Sequence, residues 1–71
     1  MLTKKQVEEL PNGTILSLPD LNENVILGGR EFDVFYGYEG RWVAGVNSDE
    51  NGGIIYISPF EELMTGTIIK N

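Results

Sequence analysis

Residues 30–46 read REFDVFYGYEGRWVAGV, and the pairing of this stretch decides the fold. It holds five of the seven aromatic residues in a chain of 71. Two runs of β-forming residues flank the tripeptide YEG at 38–40. A three-residue loop with glycine at the left-handed position is a common hairpin connection, so a hairpin closing on Tyr38–Gly40 is expected. That register sets Gly37 opposite Arg41, Tyr36 opposite Trp42, Phe35 opposite Val43, Val34 opposite Ala44 and Phe32 opposite Val46. Opposed residues share a face, and faces alternate along a strand. One face then carries Phe32, Val34, Tyr36, Trp42, Ala44 and Val46. It is uniformly apolar and is expected to be the core. The other carries Glu31, Asp33, Phe35, Gly37, Arg41, Val43 and Gly45. A slip of one residue would mix the two sets.

The Phe35–Val43 pair on an otherwise charged face needs an explanation. A short N-terminal helix covers it through Val7 and Leu10, or it is a contact patch with Tyr38 and Arg41 as amphipathic neighbours, or the register is other than the one drawn. Aromatic residues and arginine are enriched at interfaces. The candidate partner-binding residues are therefore Phe35, Tyr38, Glu39, Arg41, Val43, Glu31 and Asp33.

Working outward, the chain reads as one mainly β domain. A helix is expected over about 3–10: Thr3 and Gln6 have the spacing of a capping box, and Leu2 and Val7 that of a hydrophobic staple. Pro11, Asn12 and Gly13 end it. Strands are expected over about 13–18, 25–37, 41–47, 54–58 and 67–70, with the long second strand bent at Gly28–Gly29. A helical turn is expected over about 59–64, with Ser58 as its cap, Pro59 at the first helical position and Glu61 completing a second capping box. Four strands in a meander, one helical turn and a closing strand resemble the small SH3-like β-barrel. The LPNGTILSL entry at 10–18 is similar to the start of small bacterial barrels of this kind. The resemblance covers residues 11–70 and is architectural. It carries no functional motif, and a peptide-binding groove does not follow from it.

Composition narrows the chemistry. There is no histidine and no cysteine, so the commonest general base, the commonest metal ligand and every thiolate site are missing. Asn47, Asp49 and Asn51 sit at positions 1, 3 and 5 of a calcium-loop spacing. Position 12 is Ser58 rather than a bidentate glutamate, and a polar hairpin loop is the better reading. Glu8–Glu9 and Glu61–Glu62 are adjacent on helices, about 100° apart, and do not converge on one substrate atom. The glycine pairs 28–29 and 52–53 lack the context of a phosphate loop. Neither catalysis nor a cofactor or metal is expected.

Eleven acidic and five basic residues give a net charge of −6, with the cations Lys4, Lys5, Arg30, Arg41 and Lys70 scattered. That balance disfavours nucleic acid and suits a protein partner with a basic surface. No apolar run approaches the ~20 residues of a membrane span, and a cytoplasmic location is expected. The function expected is a small acidic protein-binding module, an inhibitor or accessory factor. In size and charge it is similar to small phage or mobile-element proteins that block host enzymes. Glu31, Asp33, Glu39, Asp49 and Glu50 are candidates for an acidic surface that competes with phosphate. The alternatives are a homo-oligomer built on strand edges and the Phe35–Val43 patch and, less favoured, a nucleic-acid-binding barrel using Phe35, Tyr38 and Arg41.

Overall fold

The computed structural model describes residues 1–46 and 55–71. The elements run α1 (Lys4–Glu9), β1 (Ile15–Leu18), β2 (Glu23–Asp33), β3 (Tyr38–Gly45), β4 (Ile55–Pro59), α2 (Phe60–Met64) and β5 (Thr67–Lys70). The strands form one antiparallel sheet in the order β4-β3-β2-β1-β5. Neighbours in the meander pair directly, and β5 returns to pair with β1 across from β2. The sheet is open, with β4 and β5 at its edges, so the closed barrel expected from the order of the elements is not seen. The calcium-like spacing at 47–51, the acidic candidates Asp49 and Glu50 and the expected start of the fourth strand at 54 lie outside the described residues.

α1 begins as its sequence dictates. The Thr3 hydroxyl accepts from the Gln6 amide at 3.1 Å, and the Gln6 side-chain carbonyl accepts from the Thr3 amide at 2.8 Å. A helix of six residues is too short to persist alone. Val7 therefore carries it into the core, and the Leu2 amide ties its entry to α2 by donating to the Met64 carbonyl at 3.0 Å. α2 starts one residue later than expected. Its N-cap is Pro59, no side chain caps it, and Ser58 is buried within β4 opposite Arg41. The expected Ser58–Glu61 capping box does not form, because the later start puts Pro59, which has no side-chain acceptor, at the cap position.

Both helices cover one face of the sheet. Val7, Leu16, Leu18, Val25, Leu27, Val43, Phe60 and Leu63 are buried together, with Leu2, Leu10, Tyr56 and Met64 packed at their margin. Alternation works in the first two strands: Leu16 and Leu18 point inward from β1, and Val25 and Leu27 do so from β2. The ladder between β2 and β3 then slips between Leu27 and Arg30, where three steps on β2 face two on β3. This is the irregularity that Gly28–Gly29 led one to expect.

The central hairpin closes elsewhere than on Tyr38–Gly40. Asp33 pairs with Tyr38, Phe32 with Glu39, Glu31 with Gly40 and Arg30 with Arg41. The connection is therefore Val34–Gly37. The physical reason is local. Asp33 Oδ1 accepts from the amides of Phe35 at 2.9 Å and Tyr36 at 3.0 Å, and Gly37 takes φ 76°, a conformation that suits glycine. Gly40 serves a different purpose. A Cβ there would collide with the Ser58 carbonyl of β4, so its small size lets the two strands approach. The expected core face is overturned accordingly. Phe32, Val34, Tyr36, Trp42 and Val46 are exposed, and Arg41 and Val43, assigned to the outer face, are buried.

Arg41 is 2% exposed, and among the described residues it forms no ion pair with a carboxylate. Its Nε donates to the Gly28 carbonyl at 2.8 Å, one terminal nitrogen to the carbonyls of Val7 (3.0 Å) and Leu10 (2.6 Å), and the other to the Asn12 side-chain oxygen at 2.9 Å. Burial, reinforced by the nearby Arg30 charge, lowers its pKa from the ordinary arginine value. Replacing Arg41 by leucine strands these carbonyls in the interior, and leaving a buried polar group unsatisfied costs about 1–3 kcal/mol each. A core of this size rarely supplies more than about 3–5 kcal/mol in total. Arg41→Leu is thus expected to be unfolded by circular dichroism. Arg41→Lys, which keeps the charge but not the fork of donors, is expected to fold with a urea midpoint well below that of the parent.

Candidate functional site

The tip of the β2–β3 hairpin stands beyond the core. β2 is 11 residues long and pairs with β1 only through Glu23–Ile26. Its second half, from Arg30 to Asp33, pairs among the described residues with β3 alone. The turn that follows presents Val34, Phe35 and Tyr36 at 87%, 85% and 73% exposure. Large apolar side chains so fully exposed, side by side, are a feature to be explained rather than ordinary surface.

The tip is ordered by its own chemistry. The Asp33 carboxylate holds two turn amides, and the Gly37 amide donates to the Asp33 carbonyl at 2.7 Å. The Phe35 and Tyr36 rings meet edge to face with centroids 5.2 Å apart. Tyr36 in turn stacks on Tyr38, centroids 6.2 Å apart and planes inclined by 15°. Tyr38 is half-buried, and its hydroxyl donates to the Ile57 carbonyl of β4 at 2.6 Å. A ladder of three rings thus runs from the free end of the turn to an anchor on the neighbouring strand.

The residues proposed from sequence fall into two groups. Phe35, Tyr38 and Asp33 come together at the tip, with Glu31 and Glu39 exposed on the strands leading to it. Arg41 and Val43 do not join them. Both lie in the interior, Arg41 clasping the end of α1 and Val43 packed in the core. Val7 of α1 shares the buried cluster with Val43, whereas Phe35 is left exposed. Val34 and Tyr36, which sequence reasoning buried, are exposed on the turn beside Phe35. The D-x-x-x-G spacing from Asp33 to Gly37 was the signal that would have placed them in the turn.

Charge around the tip is mostly negative. Arg30 contacts Glu8 at 3.7 Å and Glu39 at 3.9 Å, exposed pairs worth little individually. Among the described residues no group of three or more acidic side chains is placed to hold a metal ion. No helix among the described residues is long and apolar enough to cross a membrane.

The tyrosine hydroxyls report on this field. Burial, then Asp33, Glu62 and Tyr36, raise the Tyr38 pKa above the ordinary value. Burial, then Glu62, Glu23 and Tyr38, do the same for Tyr56, whose buried hydroxyl has no hydrogen-bond partner among the described residues. In the unfolded chain these groups ionise near pH ~10. The folded chain keeps its protons to higher pH, so the stability this difference contributes is present below pH ~10 and is lost as pH rises through the folded-state values. Urea unfolding at a series of alkaline pH values is expected to show that loss, and Tyr38→Phe and Tyr56→Phe are each expected to flatten it.

Compared with protein-family models, with curated proteins and with solved structures, the chain matched none.

Proposed function

We propose that the protein is a small protein-binding module that docks through the tip of the β2–β3 hairpin and performs no catalysis of its own. The observation that carries this reading is the exposure of Val34, Phe35 and Tyr36 on a turn braced by Asp33. Aromatic side chains that are already ordered lose little freedom on binding, which is why they dominate the energetics of interfaces. Strand order and the helical turn before β5 support an SH3-like architecture, a scaffold that carries binding sites on its loops. In this reading the module acts by occupying a surface of its partner, as an inhibitor or accessory factor does.

The test is affinity capture with three tagged baits, each checked for folding by circular dichroism: the parent, a Val34→Ser/Phe35→Ser/Tyr36→Ser variant, and an Ile55→Ser variant altered away from the tip. A stoichiometric protein retained by the first and third and lost by the second supports the proposal. Equal capture by all three, or self-association of the parent through the tip in sedimentation, would overturn it.

A further inference from the structure

The chemistry of the tip narrows the kind of partner, given that the hairpin is the docking surface. Residues paired across antiparallel strands share a face. Arg30 pairs with Arg41 and both turn toward α1, where Arg30 contacts Glu8 and Arg41 bonds Val7 and Leu10. The opposite face at this end of the sheet carries Glu31, which pairs with Gly40, and Asp33, which pairs with Tyr38. It also carries the Tyr38 side chain on its way to the Ile57 carbonyl, with Tyr36 stacked on it. No lysine or arginine of β2 or β3 shares that face. The hairpin therefore presents two tyrosine rings and two carboxylates without a cation of its own to satisfy them.

We infer that the Tyr36–Tyr38 pair, with Asp33 and Glu31 beside it, receives an arginine side chain from a cationic segment of the partner. A guanidinium stacks flat on an aromatic ring while its edge donates to carboxylates, a combination that the compact lysine ammonium does not reproduce. Tyr36 supplies an exposed ring. Asp33 uses Oδ1 for both turn amides, so Oδ2 remains an acceptor. Glu31 is exposed on the same face. The net charge of −6 adds attraction toward a basic segment and repels nucleic acid and anionic lipid alike. A neutral apolar surface, such as a zwitterionic bilayer taking up Val34 and Phe35, is the competing occupant.

The experiment is amide chemical-shift mapping on the isotope-labelled full chain. It is titrated separately with a capped Gly-Ser peptide bearing spaced arginines, its lysine and glutamine counterparts, and phosphatidylcholine vesicles. The arginine peptide is expected to shift the amides of Phe35, Tyr36, Gly37 and Tyr38 and to leave those of Val7 and Leu10 unmoved. The lysine peptide should bind more weakly and the glutamine peptide and vesicles not at all. Tyr36→Ala, at an exposed site that tolerates truncation, is expected to weaken the arginine peptide about threefold or more. Tyr36→Phe is expected to retain it, and Glu31→Gln to weaken it. An equal response to the glutamine peptide, indifference to Tyr36→Ala, tip shifts produced by vesicles instead, or no shifts at millimolar peptide would each overturn the assignment. If the arginine peptide is inert while the serine-substituted tip still loses a captured protein, the arginine assignment falls and the docking surface stands. If neither binds, both fall.

Discussion

One buried guanidinium organises this small domain. Arg41 enters from β3 and bonds the carbonyls at the end of α1, the Asn12 side chain in the turn that follows, and the Gly28 carbonyl at the irregularity of β2. A charge removed from water is costly unless its hydrogen-bonding capacity is met. Here it is met largely by backbone carbonyls, the groups a helix end leaves without partners. The arginine and the terminus of α1 thus solve each other's problem. With no cysteine and no histidine in the chain, neither disulfide nor zinc clasp is open to it, and the arginine fastens helix to sheet in their place.

This clasp determines where the core ends. It holds α1 against the sheet, and Val7 of that helix joins Leu16, Leu18, Val25, Leu27, Val43, Phe60 and Leu63 in one buried cluster. Among the described residues the outer half of β2 has β3 as its only strand partner. Its last two rungs, Phe32–Glu39 and Asp33–Tyr38, extend past the pairing of β3 with β4, and so short a two-stranded ribbon has little apolar surface to bury and must be held by turn chemistry and cross-strand contacts. Asp33, Gly37 and the ring ladder supply these. The result is a stiff projection whose outermost side chains are the least protected large apolar groups of the hairpin. Interfaces are built most efficiently on such elements, since ordering is completed during folding rather than during binding.

A second apolar feature, on the body of the sheet, has a different character. Ile15, Ile26, Ala44 and Ile55 line up in register across four strands on the face turned away from the helices. They are half-buried or exposed, as expected where one face of an antiparallel sheet carries no helices. The row is a continuous stripe of aliphatic groups rather than an anchored cluster of rings. It lacks the combination of aromatic planes and carboxylates that makes the hairpin tip chemically selective.

Local signals made most of the elements legible in the sequence. The Thr3–Gln6 capping box, the apolar alternation of β1, the Gly28–Gly29 irregularity and the helical turn before β5 all depend on residues within a few positions of one another. The hairpin itself was equally evident, but two glycines, Gly37 and Gly40, competed to close it. Apolar alternation favoured one, and the Asp33 turn with the Gly37 φ favoured the other. The choice moved every pairing. It sent Tyr36 and Val34 to the surface, placed Arg41 and Val43 in the interior, and so redrew the site. Register is decided by which partners are brought to each strand, and those partners are far away in sequence: α1 waiting for the guanidinium, and the β4 backbone needing the space at Gly40. The sequence by itself determined the kinds of elements, their order and the absence of histidine and thiol chemistry. Only the tertiary structure decided which face of the central hairpin is inside, because that energy comes from long-range packing and from satisfying one buried charge.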